Sequence, residues 1–296
     1  MIAGALALGG CTIPDGAFGG SGDDPEATGV DADAPDPTMP EGDGARGTDG
    51  GADLPATPPD EAAEAIAAEL DGIVAAHGAQ AGVAWSRPGV DAEPRSVGTL
   101  LSDVAWSTSK VPVAIASVRA TGSADDTVRA ALTSSDNAAA EALWASLGDP
   151  YSAAAATDAV LRDGGDLATT TNPERTRPEY TAFGQTQWAL PDQATFGANL
   201  TCIEGSDEVV EAMGAVVEDQ SYGLGTIPGA RFKGGWGPDP AGAYIVRQFG
   251  TVQVPDGELG LAVAVRPADG TYETGRVMLS DIAAAIQRHM PAGGTC

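Results

Sequence analysis

Residues 105–116 read AWSTSKVPVAIA. A lysine three residues after a serine lies on the same face of a helix, which brings Ser107 and Lys110 within hydrogen-bonding reach. A serine hydroxyl becomes a strong nucleophile when a base removes its proton, and a lysine made neutral by burial or nearby positive charge can be that base. Because Pro112 lacks a backbone donor, we expect Ser107 to lie in a tight or 3₁₀ turn before the regular helix. Taken alone, the pattern is also typical of a serine that caps a helix.

Two later segments carry residues that would complement this pair. Residues 135–137 read Ser-Asp-Asn at the start of a predicted helix, and residues 233–235 read Lys-Gly-Gly on a predicted strand. Each has an ordinary structural explanation, the first as a helix cap and the second as an edge strand or bulge. However, the 15 basic residues include only two lysines, Lys110 and Lys233, and both fall in these motifs.

In this order, Ser-x-x-Lys, Ser-Asp-Asn and Lys-Gly-Gly resemble the three motifs of penicillin-recognising serine enzymes, namely class A β-lactamases and D-alanyl-D-alanine peptidases. The resemblance covers residues 60–296 and implies a serine hydrolase that forms an acyl-enzyme. It further implies a β-lactam or a D-Ala-D-Ala-type peptidoglycan stem peptide as substrate. The third motif of the family is more often Lys-Thr-Gly, so Gly234 lacks a hydroxyl that could bind a substrate carboxylate.

The resemblance assigns roles to residues of this chain. Ser107 is expected to be the acylated nucleophile, Lys110 its base or proton relay, and Ser135 the group that passes a proton to the leaving nitrogen. Asn137 would bind the substrate amide, and Lys233 would place positive charge near Ser135 and the substrate carboxylate. The strand edge at Gly234, Gly235 and Trp236 would bind substrate, and the backbone N–H groups of Ser107 and Trp236 would form the oxyanion hole.

Deacylation is the step for which the sequence offers the weakest candidate. Class A β-lactamases carry a Glu-x-x-x-Asn element between the second and third motifs. The corresponding segment here contains Glu174 and Glu179, and neither has an asparagine four residues later. Glu174 is the preferred candidate for the carboxylate that activates water, and a solvated loop charge is the alternative. Without such a group, the acyl-enzyme formed with a β-lactam should be long-lived.

The pattern of elements predicts an α/β (α+β) fold of the β-lactamase/transpeptidase type. Residues 80–86 and 95–101 are predicted as two early strands, and residues 231–236, 243–254 and 258–266 as three late strands. A helical block lies between them, and amphipathic helices lie at both ends, the last one packing Val277, Leu279, Ile282 and Ile286. We therefore expect an antiparallel five-stranded sheet flanked by terminal helices, with an inserted all-helical subdomain.

The N-terminal part of the chain differs in composition from the rest. Residues 1–11 end in Leu-Gly-Gly-Cys, which resembles a bacterial lipoprotein signal with Cys11 as the lipidated residue; an ordinary apolar N-terminus with a free thiol is the alternative. Residues 12–59 are rich in Gly, Asp, Pro and Ala, which predicts a disordered acidic tether. A folded domain over residues 60–296 would then be held outside the cytoplasm, on the bacterial cell membrane.

Charge and cysteine content restrict the remaining possibilities. The net charge of −27 argues against nucleic-acid partners. If Cys11 is lipidated, Cys202 and Cys296 remain for a disulfide, with two buried free thiols as the alternative. Only His77 and His289 are present and no cysteine cluster has ligand spacing, so we expect neither a metal nor a cofactor. We also expect a monomer.

Two other functions stay open: a catalytically impaired cell-envelope binding lipoprotein that keeps the fold, and an esterase that uses the same Ser/Lys pair.

Overall fold

The structure is a computed structural model that describes residues 59–89 and 92–296. Residues 1–11 with Cys11, and the predicted tether as far as residue 58, lie outside the described residues. The division of the chain at residues 11 and 59 therefore stays a prediction. Within the described part, no helix is both long enough and apolar enough to cross a membrane.

Eight α-helices form in the described part of the chain. Most begin at residues suited to helix starts; for example, the side chains of Asp125, Asp136 and Asp149 accept hydrogen bonds from backbone N–H groups of the helices that follow them. The helices are α1 (Pro59–His77), α2 (Lys110–Thr121), α3 (Asp126–Thr133), α4 (Asn137–Ser146), α5 (Pro150–Asp163), α6 (Leu190–Ala198), α7 (Asp207–Met213) and α8 (Tyr272–Arg288).

Among residues 59–89 and 92–296, seven strands form two sheets. They are β1 (Gln80–Ser86), β2 (Arg95–Gly98), β3 (Ser102–Val104), β4 (Gln187–Ala189), β5 (Arg231–Pro238), β6 (Tyr244–Val254) and β7 (Gly257–Arg266). Five of them form an antiparallel sheet in the order β2-β1-β7-β6-β5, and β3 pairs with β4 in a separate small sheet. Strands from both ends of the chain therefore share one sheet, which confirms the predicted architecture. Strand β5, with the Lys-Gly-Gly motif, lies at one edge of that sheet.

Two apolar cores lie on the two faces of the five-stranded sheet. On one face, α1 and α8 pack Ile66, Leu70 and Ile282 against strand residues such as Val263. On the other face, the helical block between β3 and β5 packs around α2, whose residues 110–118 are all buried. Helix α2 lies inside this second core. The turn that precedes α2, Trp106–Ser109, packs into the same core through Trp106.

Several details differ from the sequence-based expectation. The last helix does not bury Val277, which is 54% exposed, although Leu279, Ile282 and Ile286 are buried as expected. Strand β2 ends at Gly98 rather than at residue 101, because the backbone turns there with a φ of +90°.

The C-terminal segment is joined to the body of the fold. Cys296 forms a disulfide with Cys202, as predicted. The backbone of Gly294 exchanges two hydrogen bonds with Glu258 at the start of β7, at 2.7 and 3.0 Å. The disulfide therefore closes a covalent loop from Cys202 to Cys296 that contains α7, β5–β7 and α8.

Candidate active site

Ser107 lies in a 3₁₀ turn, Trp106–Ser109, that leads directly into α2. This placement confirms the expected turn, and it leaves Pro112 in the first helical turn, where a missing backbone donor costs little. Trp106 has a φ of +50°, in the left-handed region that non-glycine residues rarely adopt. Such backbone strain is common at functional sites. Ser107 itself is only partly buried, so its hydroxyl can meet a substrate.

The Ser-Asp-Asn motif lies against Lys110. The Nζ atom of Lys110 donates hydrogen bonds to the Ser135 carbonyl oxygen at 2.5 Å, to Asn137 Oδ1 at 2.8 Å and to the Ser135 hydroxyl at 3.2 Å. Ser135 has a φ of +61°, so this residue also occupies the left-handed region. The strained backbone at Ser135 presents both its carbonyl and its hydroxyl to one amine.

Lys233 reaches the same hydroxyl from the edge strand. Its Nζ atom donates to Ser135 Oγ at 2.9 Å and to the Gly234 carbonyl oxygen at 2.9 Å. The Ser135 hydroxyl therefore lies between two amines that are 123 positions apart on the chain. The predicted proximity of Lys233 and Ser135 is therefore present. None of the described hydrogen bonds joins Lys110 to the Ser107 hydroxyl, although the spacing of the two residues predicts that contact.

Both lysines are almost completely buried, at 1% exposure each. Burial lowers the pKa of Lys110 to about 7, and the negative charges of Asp136 and Glu141 oppose that shift. Burial also lowers the pKa of Lys233 well below its ordinary value, and the neighbouring Lys110 lowers it further. A substantial fraction of Lys110 is therefore neutral near pH 7, as a proton acceptor must be.

The third motif lies directly against the 3₁₀ turn Trp106–Ser109. We call it the nucleophile turn, after the predicted role of Ser107. A Cβ atom on Gly235 would lie 2.8 Å from the Ala105 carbonyl oxygen and 3.0 Å from the Ser107 nitrogen. The absence of a side chain at this position is therefore what allows β5 to approach Ser107. Gly234 faces the other side of the strand, where a Cβ would be 3.5 Å from the Trp236 ring, an ordinary contact distance.

Residues 172–182 connect the two sides of the site. Arg175 Nη2 bonds Glu141 Oε1 on α4 at 2.7 Å, and Arg177 Nη1 donates to the Pro238 carbonyl oxygen at the end of β5 at 2.6 Å. Tyr180 contacts the Trp106 ring edge-on, with centroids 4.9 Å apart. The segment is therefore held by α4, by β5 and by the nucleophile turn.

Glu174 lies in this segment but is engaged elsewhere. Its carboxylate is exposed and accepts a hydrogen bond from the Tyr151 hydroxyl. Together with Trp144 and Arg175, these residues line a cleft of about 470 Å³ between α4, α5 and the segment. None of the described hydrogen bonds joins Glu174 to Ser107, and its role in deacylation stays a prediction.

No sequence pattern predicts a role for Glu141, Arg175 or Trp106 in this region. Glu141 could have been found, because it follows Asn137 by four residues and so shares its helix face. The contact of Arg175 with Glu141 depends on the irregular path of residues 172–182, which no periodicity reveals. The described residues also contain no group of three or more His, Cys, Asp or Glu side chains arranged to hold a metal ion.

The architecture is similar to that of solved β-lactamase structures. The chain has the fold of the class A β-lactamases. A class A β-lactamase from Mycobacterium abscessus is 17% identical, with 75% of this chain and 98% of that chain covered at a TM-score of 0.59. A β-lactamase from Burkholderia vietnamiensis is 19% identical, covering 75% and 95% at 0.57. A β-lactamase from Xanthomonas campestris is 16% identical, covering 77% and 98% at 0.58.

Comparisons by sequence give no further assignment. No family model matches the chain, and no curated protein matches it. At identities of 16–19%, the structural similarity establishes the fold and leaves the reaction to be argued from the site itself.

Proposed function

We propose that this protein is a serine hydrolase that forms an acyl-enzyme at Ser107 with a β-lactam or with a D-Ala-D-Ala-type amide of the cell wall. The observation that carries the proposal is the shared contact of Lys110 and Lys233 with the Ser135 hydroxyl. Lys110 directly follows the turn that carries Ser107, Lys233 lies on the strand assigned to substrate binding, and burial lowers the pKa of both amines. If Ser-Asp-Asn were only a helix cap and Lys-Gly-Gly only an edge strand, no contact between the two lysines and the Ser135 hydroxyl would be needed.

In the proposed reaction, Ser107 Oγ attacks the amide carbonyl carbon, and its proton passes to the neutral amine of Lys110. The carbonyl oxygen becomes an oxyanion, which the backbone N–H groups of Ser107 and Trp236 bind. When the C–N bond breaks, the leaving nitrogen takes the proton of the Ser135 hydroxyl, and Lys110 replaces that proton through their hydrogen bond. Water then hydrolyses the ester on Ser107, with Glu174 as the candidate base.

Substrate binding is assigned to the strand edge and to α4. The exposed Asn137 would bind the substrate amide, and the edge of β5 that faces away from β6, at Gly234 and Gly235, would lie along the substrate backbone. An anionic substrate carboxylate near Lys233 would favour the charged form of that lysine and so offset the effect of its burial. The reaction requires neither a metal nor a cofactor.

Mass spectrometry after incubation with a labelled penicillin tests this proposal. We expect an adduct on the peptide that contains Ser107, its loss in Ser107→Ala, and its retention in Ser134→Ala, which removes an exposed hydroxyl one residue before Ser135. An adduct that persists for hours indicates a peptidase-like enzyme, whereas rapid turnover indicates a β-lactamase. Hydrolysis of activated esters without any penicillin adduct would indicate an esterase instead.

A non-catalytic envelope-binding protein is the second candidate. Two observations favour it: the described hydrogen bonds of Lys110 go to Ser135, Asp136 and Asn137 rather than to Ser107, and Glu174 is bonded to Tyr151. This candidate predicts saturable binding of a peptidoglycan fragment and no adduct with any acylating probe.

We further propose that the protein is an extracytoplasmic monomer anchored to the bacterial cell membrane by lipid on Cys11. The proposal is supported by the Leu-Gly-Gly-Cys sequence at residues 8–11 and by the acidic segment that follows it. Cell fractionation tests it: the protein should sediment with membranes, and Cys11→Ala should release it. Light scattering of the released protein measures its mass in solution.

A further inference from the structure

Glu141 lies on the same face of α4 as Asn137, which binds Lys110. It follows Asn137 by four residues, a spacing that places two side chains next to each other on a helix. Asn137 Oδ1 accepts a hydrogen bond from Lys110 Nζ at 2.8 Å. Glu141 keeps 34% of its side chain exposed, whereas Lys110 is 1% exposed.

Arg175 fixes the position of the Glu141 carboxylate. The guanidinium Nη2 lies 2.7 Å from Glu141 Oε1. Arg175 belongs to residues 172–182, which contact the nucleophile turn through Tyr180 and β5 through Arg177. The carboxylate is therefore held from two sides, by α4 and by the segment that crosses the site.

Glu141 differs from the other charged groups near Lys110 in its hydrogen-bonding partner. Asp136 is the other nearby carboxylate, and its Oδ1 already accepts the Ala139 N–H at 2.7 Å as the cap of α4. Lys233, on β5, shares the Ser135 hydroxyl with Lys110. Glu174 is bonded to Tyr151. Of the carboxylates that act on Lys110, Glu141 is the one paired with a cation from another segment.

We propose that Glu141 is a positioning residue whose carboxylate, restrained by Arg175, sets the pH at which Lys110 becomes the neutral base for Ser107. This inference rests on the proposed function, because it assigns Lys110 as that base. The negative charge of Glu141 favours the ammonium form of Lys110, which opposes the effect of burial. Burial is the main cause of the lowered pKa of Lys110, and Arg175 offsets part of the opposing charge of Glu141.

The two members of the pair should therefore act in opposite directions. Glu141→Gln keeps the shape of the side chain and removes its charge, so Lys110 should lose its proton at a lower pH. Arg175→Gln leaves Glu141 uncompensated, so Lys110 should keep its proton to a higher pH. A general loosening of the site would not move the two variants in opposite directions.

Nuclear magnetic resonance of the full chain labelled with ¹³Cε-lysine can measure this directly, because the chain has only two lysines. Lys110→Met assigns the signals. We expect the Lys110 midpoint to fall by about half a pH unit in Glu141→Gln and to rise by a few tenths in Arg175→Gln. Glu141→Asp should restore part of the shift. Glu211→Gln, which removes an exposed carboxylate from Arg129 on the surface, should leave the midpoint unchanged.

The titration separates this inference from the proposed function. If the midpoint of Lys110 stays the same in Glu141→Gln and Arg175→Gln, or moves instead in Glu174→Gln, the role assigned to Glu141 is wrong whether or not Ser107 is acylated. If the midpoint shifts as expected but penicillin never labels Ser107, the proposed function fails on its own. Where acylation occurs, the acid limb of its pH profile should move with the titration midpoint.

Discussion

The two glycines of the third motif have opposite structural roles, although they are adjacent. A Cβ on Gly235 would meet backbone atoms of the nucleophile turn at 2.8–3.0 Å, and those atoms cannot rotate away. A Cβ on Gly234 would meet only side-chain atoms of Trp236 and Gln248, at 3.5 Å or more. There is room for a side chain at Gly234. At Gly235 a side chain would push β5 away from Ser107.

We therefore predict that Gly235→Ala abolishes acylation of Ser107 and lowers the free energy of unfolding by about 1–3 kcal/mol, the usual cost of overpacking. Gly234→Ala is the matched control for stability and should keep the free energy of unfolding close to that of the unsubstituted chain. Denaturant unfolding and the rate of adduct formation measure the two effects. Equal behaviour of the two variants would contradict the assigned geometry.

The titration of Lys110 predicts how acylation depends on pH. Since only the neutral amine can accept the Ser107 proton, and the pKa of Lys110 is lowered to about 7, the rate should rise with pH through about 7 and then level off. A lysine of ordinary pKa would give a rise only near pH 10. Lys110→Arg should abolish the reaction, because arginine stays protonated over this range. A rate independent of pH between 5 and 9 would argue against Lys110 as the base.

Among the secondary-structure elements, those with long periodic patterns were predicted best. Strand β1 has the predicted bounds, and the strands and helices of the C-terminal part differ by only a few residues. Strands β3 and β4 were missed, because three residues are too few to show a period. They pair across 85 positions of chain, and they are held by contacts that no local pattern reveals.

Arg247 supplies many of those contacts. It is fully buried on β6, and its guanidinium donates to the carbonyl oxygens of Asp103 at 2.8 Å and Trp188 at 3.1 Å and to Gln193 Oε1 at 2.5 Å. Gln193 in turn donates to the Thr108 hydroxyl in the nucleophile turn at 3.0 Å. One arginine thus connects the small sheet, α6 and the turn that carries Ser107.

Arg247→Met should lower the free energy of unfolding by about 3–5 kcal/mol, because several buried acceptors would lose their donor. Urea denaturation measures this change. Arg129→Met provides the comparison: Arg129 is 58% exposed and lies 4.0 Å from Glu211, so its loss should change stability by less than about 1 kcal/mol. A similar loss in both variants would show that the buried network does not stabilise the fold.

At the scale of the whole molecule, the sequence predicted which residues converge but not how the site is enclosed. Ser107, Lys110, Ser135 and Lys233 were identified because their residue types are specific and their order matches a known pattern. The segment at residues 172–182 was identified as the source of the candidate carboxylates Glu174 and Glu179, but its path was not predicted. Its path is fixed by Arg175 and Arg177, whose partners lie on α4 and β5, and such long-range pairs leave no local signal in a single sequence.

The disulfide between Cys202 and Cys296 should stabilise the whole fold rather than the site. It joins residues 94 positions apart, so it removes much of the freedom of the unfolded chain. Replacing both cysteines by serine should lower the free energy of unfolding by about 2–5 kcal/mol. Acylation of Ser107 under native conditions should persist, because the Gly294–Glu258 hydrogen bonds still hold the tail and the motifs lie elsewhere.

Urea denaturation with and without dithiothreitol separates the effect of the bond from that of the substitutions. The reduced unsubstituted protein should unfold at nearly the same urea concentration as the double serine variant, since both lack the cross-link. The variant should not respond to the reductant, because Cys11 is then its only cysteine. If reduction leaves the unfolding midpoint of the unsubstituted protein unchanged, the cross-link does not contribute to stability, and the tail is held by its backbone hydrogen bonds instead.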